Sequence, residues 1–204
     1  MLLTTAYFPP IEYFAAIAAE YSSFYLEACE NYQKQSYRNR CYFYGSGGKE
    51  MLQVPVAHEN GSFNLPITRI CVSYDTPWVV RTERAISSAY SSSAFFEYYR
   101  DELFSILDSH PKTLWELNLS LIRFFLEKCG IAAEIHFTDT FVPGAAVDIH
   151  PKRTNTILED LDLKKPYFQV FSGKYGFISN LSIMDLLFNE GPNSITFLRN
   201  ASRR

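Results

Sequence analysis

Glu27-Ala28-Cys29-Glu30-Asn31-Tyr32-Gln33-Lys34-Gln35-Ser36-Tyr37-Arg38-Asn39-Arg40 is the stretch around which the chain is organised. Its fourteen residues hold two carboxylates, three cations, two tyrosines and four side-chain amides, and no Gly or Pro. Loops usually carry a breaker. The run therefore reads as an ordered polar surface, a strand entered from a short connection and flanked by apolar segments. Two explanations fit such density beside a core: an edge strand protected by charge, or a binding cleft. If Tyr37 to Tyr44 is extended, Arg38, Arg40, Tyr42 and Tyr44 share one face, and two guanidinium forks on that face can grip one phosphate or carboxylate group. On the bland reading the same arginines pair with Glu27 or Glu30.

Upstream of the run, Leu2 to Ala6 is a short apolar and β-branched segment that stops at Pro9-Pro10, as a buried strand entering a turn would. Ile11 to Tyr21 repeats apolar and Ala positions at helical spacing, and Ser23 to Leu26 reads as a second strand. This strand-helix-strand start favours a parallel pair with ligands at the carboxyl ends of the strands. Tyr7, Phe8, Glu27 and Glu30 then share one rim. Downstream, Arg40–Tyr44 and Leu52–Val56 read as a hairpin joined by the glycines of 45–49. The three strands Thr4–Phe8, Ser23–Leu26 and Arg40–Tyr44 are expected in one small mixed sheet. His58 to Pro66 is turn-rich, and Ile67 to Ser73 alternates like another strand.

From Trp78 to Asp108 the pattern turns helical, broken near Ser91-Ser92-Ser93. A third helix opens on the capping box Thr113…Glu116 and carries Leu114, Leu117, Leu121 and Phe125 to a stop at Gly130. Glu134–Thr138 and Tyr167–Phe171 read as late strands. Phe141–Thr156 is irregular, and within it Asp148 stands two residues before His150, close enough to orient an imidazole as a general base. Gly173-Lys174-Tyr175-Gly176-Phe177 has the composition of a ligand loop. Ser182 caps a last helix that ends at Gly191-Pro192, with Asp185 in its first turn. Arg203 and Arg204 are expected to trail into solvent. The expected architecture is α/β, one domain over residues 1–204 with a small mixed sheet, the opening strand-helix-strand unit and a helical layer.

The opening Tyr7-Phe8-Pro9-Pro10-Ile11-Glu12-Tyr13-Phe14, the polar run ending Tyr37-Arg38-Asn39-Arg40, and Leu181-Ser182-Ile183-Met184-Asp185-Leu186-Leu187-Phe188-Asn189 together resemble the WbqC-like family of bacterial proteins. The resemblance implies a cytoplasmic step in building cell-surface polysaccharide, with acyl or glycyl transfer to an amino sugar. It also exposes departures. Thr5-Ala6 stands where the family has Gln-Pro, Glu12 where it has Gly, and Thr82 where a His follows Trp78 by four residues, with Arg84 soon after. If those family positions are catalytic, this member is altered, and the remaining bases are Glu27, Glu30, Asp75 and His150.

Composition bounds the rest. A chain of 204 residues with 47% hydrophobic content can bury a core. Seventeen Phe and fourteen Tyr favour aromatic-walled pockets or interfaces, or a tyrosine-rich core boundary. A net charge of −3 argues against nucleic acid as the main partner. No apolar run approaches a membrane span and no cleavable leader is evident at the start, so a soluble cytoplasmic protein is expected. Cys29, Cys41, Cys71 and Cys129 lack metal-site spacing and read as reduced packing residues. Neither a dinucleotide fingerprint nor a nucleophile elbow is present, and no cofactor is assigned. The expected partner is an anionic small molecule, a sugar nucleotide. Glu27, Glu30 and His150 are the candidate catalytic groups, with Tyr7, Tyr32, Lys34, Tyr37, Arg38, Asn39, Arg40 and Trp78 as ligand contacts. The alternative is a non-catalytic module that holds an anionic sugar or a partner enzyme.

Overall fold

The opening residues do form a parallel strand-helix-strand unit. The computed structural model of the chain describes residues 1–20, 22–57, 65–147, 149–152 and 161–201. Strand β1 (Leu2–Leu3) pairs in parallel with β2 (Ser23–Leu26), and helix α1 (Ile11–Glu20) lies between them in sequence. Strand β5 (Glu134–Phe137) joins the other edge of β2, also in parallel, giving the order β1-β2-β5. Val147 adds one parallel bridge to Leu3.

β1 is shorter than its apolar run suggests. Phe8 takes a φ of 42° to steer the chain into Pro9-Pro10, so the expected Thr4–Phe8 strand becomes a buried bend. A second ladder, β3 (Arg40–Gly45) with β4 (Gly48–Gln53), is antiparallel and stands apart from the parallel sheet. This corrects the expectation that Arg40–Tyr44 pairs within the sheet of β1 and β2. The hairpin turn is tight, Gly45 facing Gly48, so β4 begins before the expected Leu52–Val56. Gly48 supplies the positive φ of 101° that the turn requires.

The helical layer follows the periodicity closely. It comprises α2 (Trp78–Tyr90), α3 (Phe96–Asp108), α4 (Leu114–Lys128), α5 (Ile183–Glu190) and α6 (Ser194–Asn200). The Thr113 side chain accepts from the Glu116 amide while Glu116 reaches back to the Thr113 amide, completing the capping box. α4 packs on α3 and α5, and its Phe125 meets Phe8 and Phe14 at ring separations of 6.0 Å each. α5 ends at Gly191, whose φ of 54° is open only to Gly at its ψ of −128°. A Cβ there would sit 2.5 Å from the Phe95 ring.

Three further segments differ from their sequence reading. Ile67–Arg69 is a single 3-10 turn followed by isolated bridges from Cys71 and Val72, not a strand. Tyr167–Phe171 forms no strand, because Gln169 is anchored by its side chain to both the amide and the carbonyl of Ile178. The Gly173–Phe177 segment overlaps a helical turn, Ser172–Tyr175, docked on the hairpin by the Tyr175 hydroxyl donating to the Ser46 carbonyl. Tyr21, the 58–64 part of the turn-rich segment, Asp148, the 153–156 end of the irregular one, and Arg203-Arg204 lie outside the described residues.

Candidate functional site

The polar run from Glu27 to Arg40 is ordered, but neither as a strand nor as a surface. Only Arg40 belongs to a strand; the rest is irregular chain, and Glu27, Glu30, Tyr32, Ser36, Tyr37, Arg38 and Asn39 are all buried. Buried irregular backbone must have its polar groups paired. Here the partners are scattered through the fold. The Glu27 amide donates to the Leu3 carbonyl, the Ile67 amide to the Glu30 carbonyl, the Tyr32 amide to the Leu65 carbonyl and the Tyr7 amide to the Tyr37 carbonyl. Asn118 on α4 donates to the Arg38 carbonyl, and Asn39 donates to the Val54 carbonyl. The one left-handed residue of the run is Gln35, at a φ of 58°, so the chain turns without the breaker that sequence reasoning required.

This arrangement divides the two arginines. Arg38 is 1% exposed and turns inward, its Nε donating to Glu30 Oε1 at 2.9 Å and its Nη2 to Oε2 at 2.5 Å. Arg40 turns the other way. It is half-buried on the wall of a cleft of about 630 Å³ lined also by Tyr32, Lys34, Gln35, Asn39, Gln53, Pro55, Val56, Ala57, Ser73, Asp75 and Thr76. No ion pair of Arg40 occurs among the described residues, and its Nε is buried with no hydrogen-bond partner. Asn39 is 3% exposed on the same wall and its Oδ1 is likewise unpaired. Burial pushes the Tyr32 phenol up to about 12, against the opposing pull of Arg40 and Arg38, so at neutral pH it is a protonated hydroxyl. Opposite, the Ser73 hydroxyl donates to Asp75 Oδ2 at 2.8 Å.

The other sequence-derived candidates lie elsewhere. Glu27, fully buried after β2, accepts at Oε1 from the Cys29 amide and the Thr138 hydroxyl, while its Oε2 is unpaired. It thereby clasps the carboxyl ends of β2 and β5. Glu30 is committed to Arg38. His150 follows the Val147 bridge and accepts from the Lys152 amide. Tyr37 is buried edge-on to Tyr42 at 6.2 Å. Tyr7 is fully buried, which drives its phenol well above the ordinary value; its hydroxyl faces Thr82 without a well-formed hydrogen bond.

Trp78 and Thr82, one turn apart on α2, line a second groove of about 410 Å³ with Met51, Leu52, Gln53, Pro55, Thr76, Arg81 and Ala85. It shares Gln53, Pro55 and Thr76 with the first cleft. Glu12, the other polar departure at a helix, is tied to Asn180, which donates to its Oε1 at 3.0 Å.

One buried centre was missed altogether. Asp185 is completely enclosed and accepts from the Tyr90 hydroxyl, the Tyr167 hydroxyl and the Gln169 amide, at 2.9, 2.5 and 2.8 Å. Burial raises its carboxyl to about 6 despite these three donors. The signal was present in Ile183-Met184-Asp185-Leu186-Leu187-Phe188: a helix apolar all round is buried all round, so its one acid must be met by donors. Among the described residues no group of three His, Cys, Asp or Glu is placed to hold a metal ion, and no helix is long and apolar enough to cross a membrane. All four cysteines are free thiols.

Compared with known proteins, the chain matches the model of the WbqC-like protein family over residues 5–165. That span includes the polar run, the cleft and α2, and stops short of Asp185. No curated protein and no solved structure matches the chain.

Proposed function

The chain belongs to the WbqC-like protein family, and on that premise we propose that its cleft binds the diphosphate of a sugar nucleotide in a cytoplasmic step of cell-surface polysaccharide assembly, where an acyl or aminoacyl group is transferred to an amino sugar. The observation that carries the binding site is Arg40: a half-buried guanidinium in a cleft, with no ion pair among the described residues. A charge withdrawn from water without a counter-ion is costly, and a ligand anion offsets that cost. Tyr32, Lys34 and Asn39 complete the contact set. The unpaired Asn39 Oδ1 is an acceptor that a sugar hydroxyl of the ligand satisfies.

In transfer from a thioester the amine nitrogen bonds the acyl carbon as the C–S bond breaks, and a base takes up the amine's proton while the departing thiolate leaves as the thiol. Of the four bases named from sequence, Asp75 is the one on the cleft wall. Its hydrogen bond from Ser73 holds it in place. A second reading follows from the same placement: with Glu27, Glu30 and His150 off that wall, the cleft can hold its ligand without reacting it.

Calorimetry with UDP-glucose tests the site in wild type, Arg40→Lys and Asp75→Asn, with folding checked by circular dichroism. Arg40→Lys keeps the charge but loses the fork, and affinity is expected to fall about tenfold, the loss of one charge-assisted hydrogen bond. Unchanged affinity in folded Arg40→Lys would reject the cleft. For the reaction, Asp75→Asn should bind but fail to transfer an acyl group from a thioester to UDP-glucosamine; equal turnover would remove Asp75 from it.

A further inference from the structure

We infer that the groove lined by Trp78 is the subsite for the N-acyl group of the amino sugar whose diphosphate lies on Arg40. This inference rests on the reading of the cleft just given and adds the identity of the sugar. The two hollows are neighbours, since Gln53, Pro55 and Thr76 belong to both walls. A ligand anchored at Arg40 therefore has room for a substituent that crosses this shared rim.

The groove's lining matches an acyl group in two respects. Leu52, Pro55 and Ala85 give it an apolar side that suits a methyl or short alkyl body. Hydrogen-bonding capacity is left over in one of the residues that line it. Trp78 is 4% exposed, and its indole Nε1, a donor and never an acceptor, is buried with no partner. The Tyr7 hydroxyl, buried and facing Thr82 without a well-formed hydrogen bond, lies behind it. Burial holds that phenol protonated at any physiological pH, so it too can donate. An amide carbonyl is an acceptor joined directly to an apolar group. It satisfies such a donor while its alkyl part covers the apolar side.

The hydroxyl of an unsubstituted sugar matches the apolar side less well, and a free ammonium would face the indole N–H donor and Arg81. The groove thus selects the acylated sugar over both. Under transfer it holds the group just attached; under simple binding it identifies the ligand.

The experiment compares UDP-N-acetylglucosamine with UDP-glucose by calorimetry in wild type, Trp78→Phe, Ala85→Leu and Arg40→Lys. Wild type is expected to prefer the acylated nucleotide about tenfold, the value of one satisfied buried donor plus a covered methyl. Trp78→Phe removes the N–H and keeps a ring in place; Ala85→Leu fills the apolar side from the half-exposed face of α2. Each should bring the preference down toward one. Ala85→Leu carries the test if Trp78→Phe does not fold. No preference in wild type, or a preference kept in the folded variants, overturns the acyl subsite. Arg40→Lys separates the two levels: it should weaken both nucleotides alike. If it does while the preference is absent, only the acyl subsite falls; if neither nucleotide binds wild type, the cleft reading falls with it.

Discussion

The Arg38 guanidinium grips both oxygens of the Glu30 carboxylate, and neither residue is more than 4% exposed. The pair ties together two points of the polar run that are eight residues apart in sequence. Because Arg38 is spent on this internal partner, Arg40 alone of the two presents its guanidinium to the cleft.

Breaking that pair from one side takes the fork partner away from a buried charge. Arg38→Met or Glu30→Gln is expected to cost about 3–5 kcal/mol of stability. The double variant should recover part of the loss, since both charges are then removed. Urea unfolding measures all three. A cost below about 1 kcal/mol, the range of an exposed pair, would show that the fork is not buried in solution.

Asp185 should make stability depend on pH in an unusual direction. Its carboxyl holds a proton up to about pH 6 in the folded protein, against an ordinary value of 3.8. Between those values the native state binds more protons than the unfolded chain, so this group's contribution is full below about 4 and is lost as pH rises through 6. At about 1.36 kcal/mol per unit, that amounts to up to about 3 kcal/mol. The difference in unfolding free energy between wild type and Asp185→Asn should therefore widen in favour of wild type as pH falls from 7 to 4. A difference that stays flat would place the carboxyl at its ordinary value.

The α4 capping box gives a smaller, local effect. Thr113→Ala removes the acceptor for the Glu116 amide and should lower stability by about 1 kcal/mol. Thr113→Ser should retain nearly all of it. Thermal melts of the two variants decide, and equal melting for Thr113→Ala and wild type would mean that water caps the helix as well as Thr113 does.

Gly191→Ala combines a forbidden backbone conformation with a Cβ 2.5 Å from the Phe95 ring. We expect a loss of about 2 kcal/mol or more, since strain and overpacking each cost on the order of 1–3 kcal/mol. Phe95→Ala removes the clash but not the backbone strain, so in the double variant the glycine substitution should cost less than it does alone. Additive losses in that cycle would mean that the ring moves aside freely.

Much of the fold was legible because its signals are local. The Thr113 and Glu116 side chains meet across one helical turn, the glycines of 45–48 close their own hairpin, and the serines of 91–93 interrupt a helix wherever the chain runs. The parallel pairing of β1 and β2 followed from the helix between them, which makes a tight antiparallel hairpin impossible. The polar run, read as an ordered strand at the surface, is instead buried irregular chain. By itself the sequence determined the α/β class, the order and extent of the long helices, and the set of polar residues from which any site must be drawn.

Which of those residues reach a ligand was decided only by tertiary structure. Arg38 and Arg40 are chemically identical and two residues apart, so no local pattern says that one meets Glu30 and the other a cleft. That choice depends on Leu3, Leu65, Ile67 and Asn118, drawn from three distant segments, which pair the backbone of the run and so turn each side chain to its side. Asp185 shows the same dependence: its carboxylate is satisfied by Tyr90 and Tyr167, far from it in sequence, and without them an acid on α5 would belong in water. Hydrogen bonds between remote segments carry no periodicity, and burial of a charge is set by what else the fold brings to it.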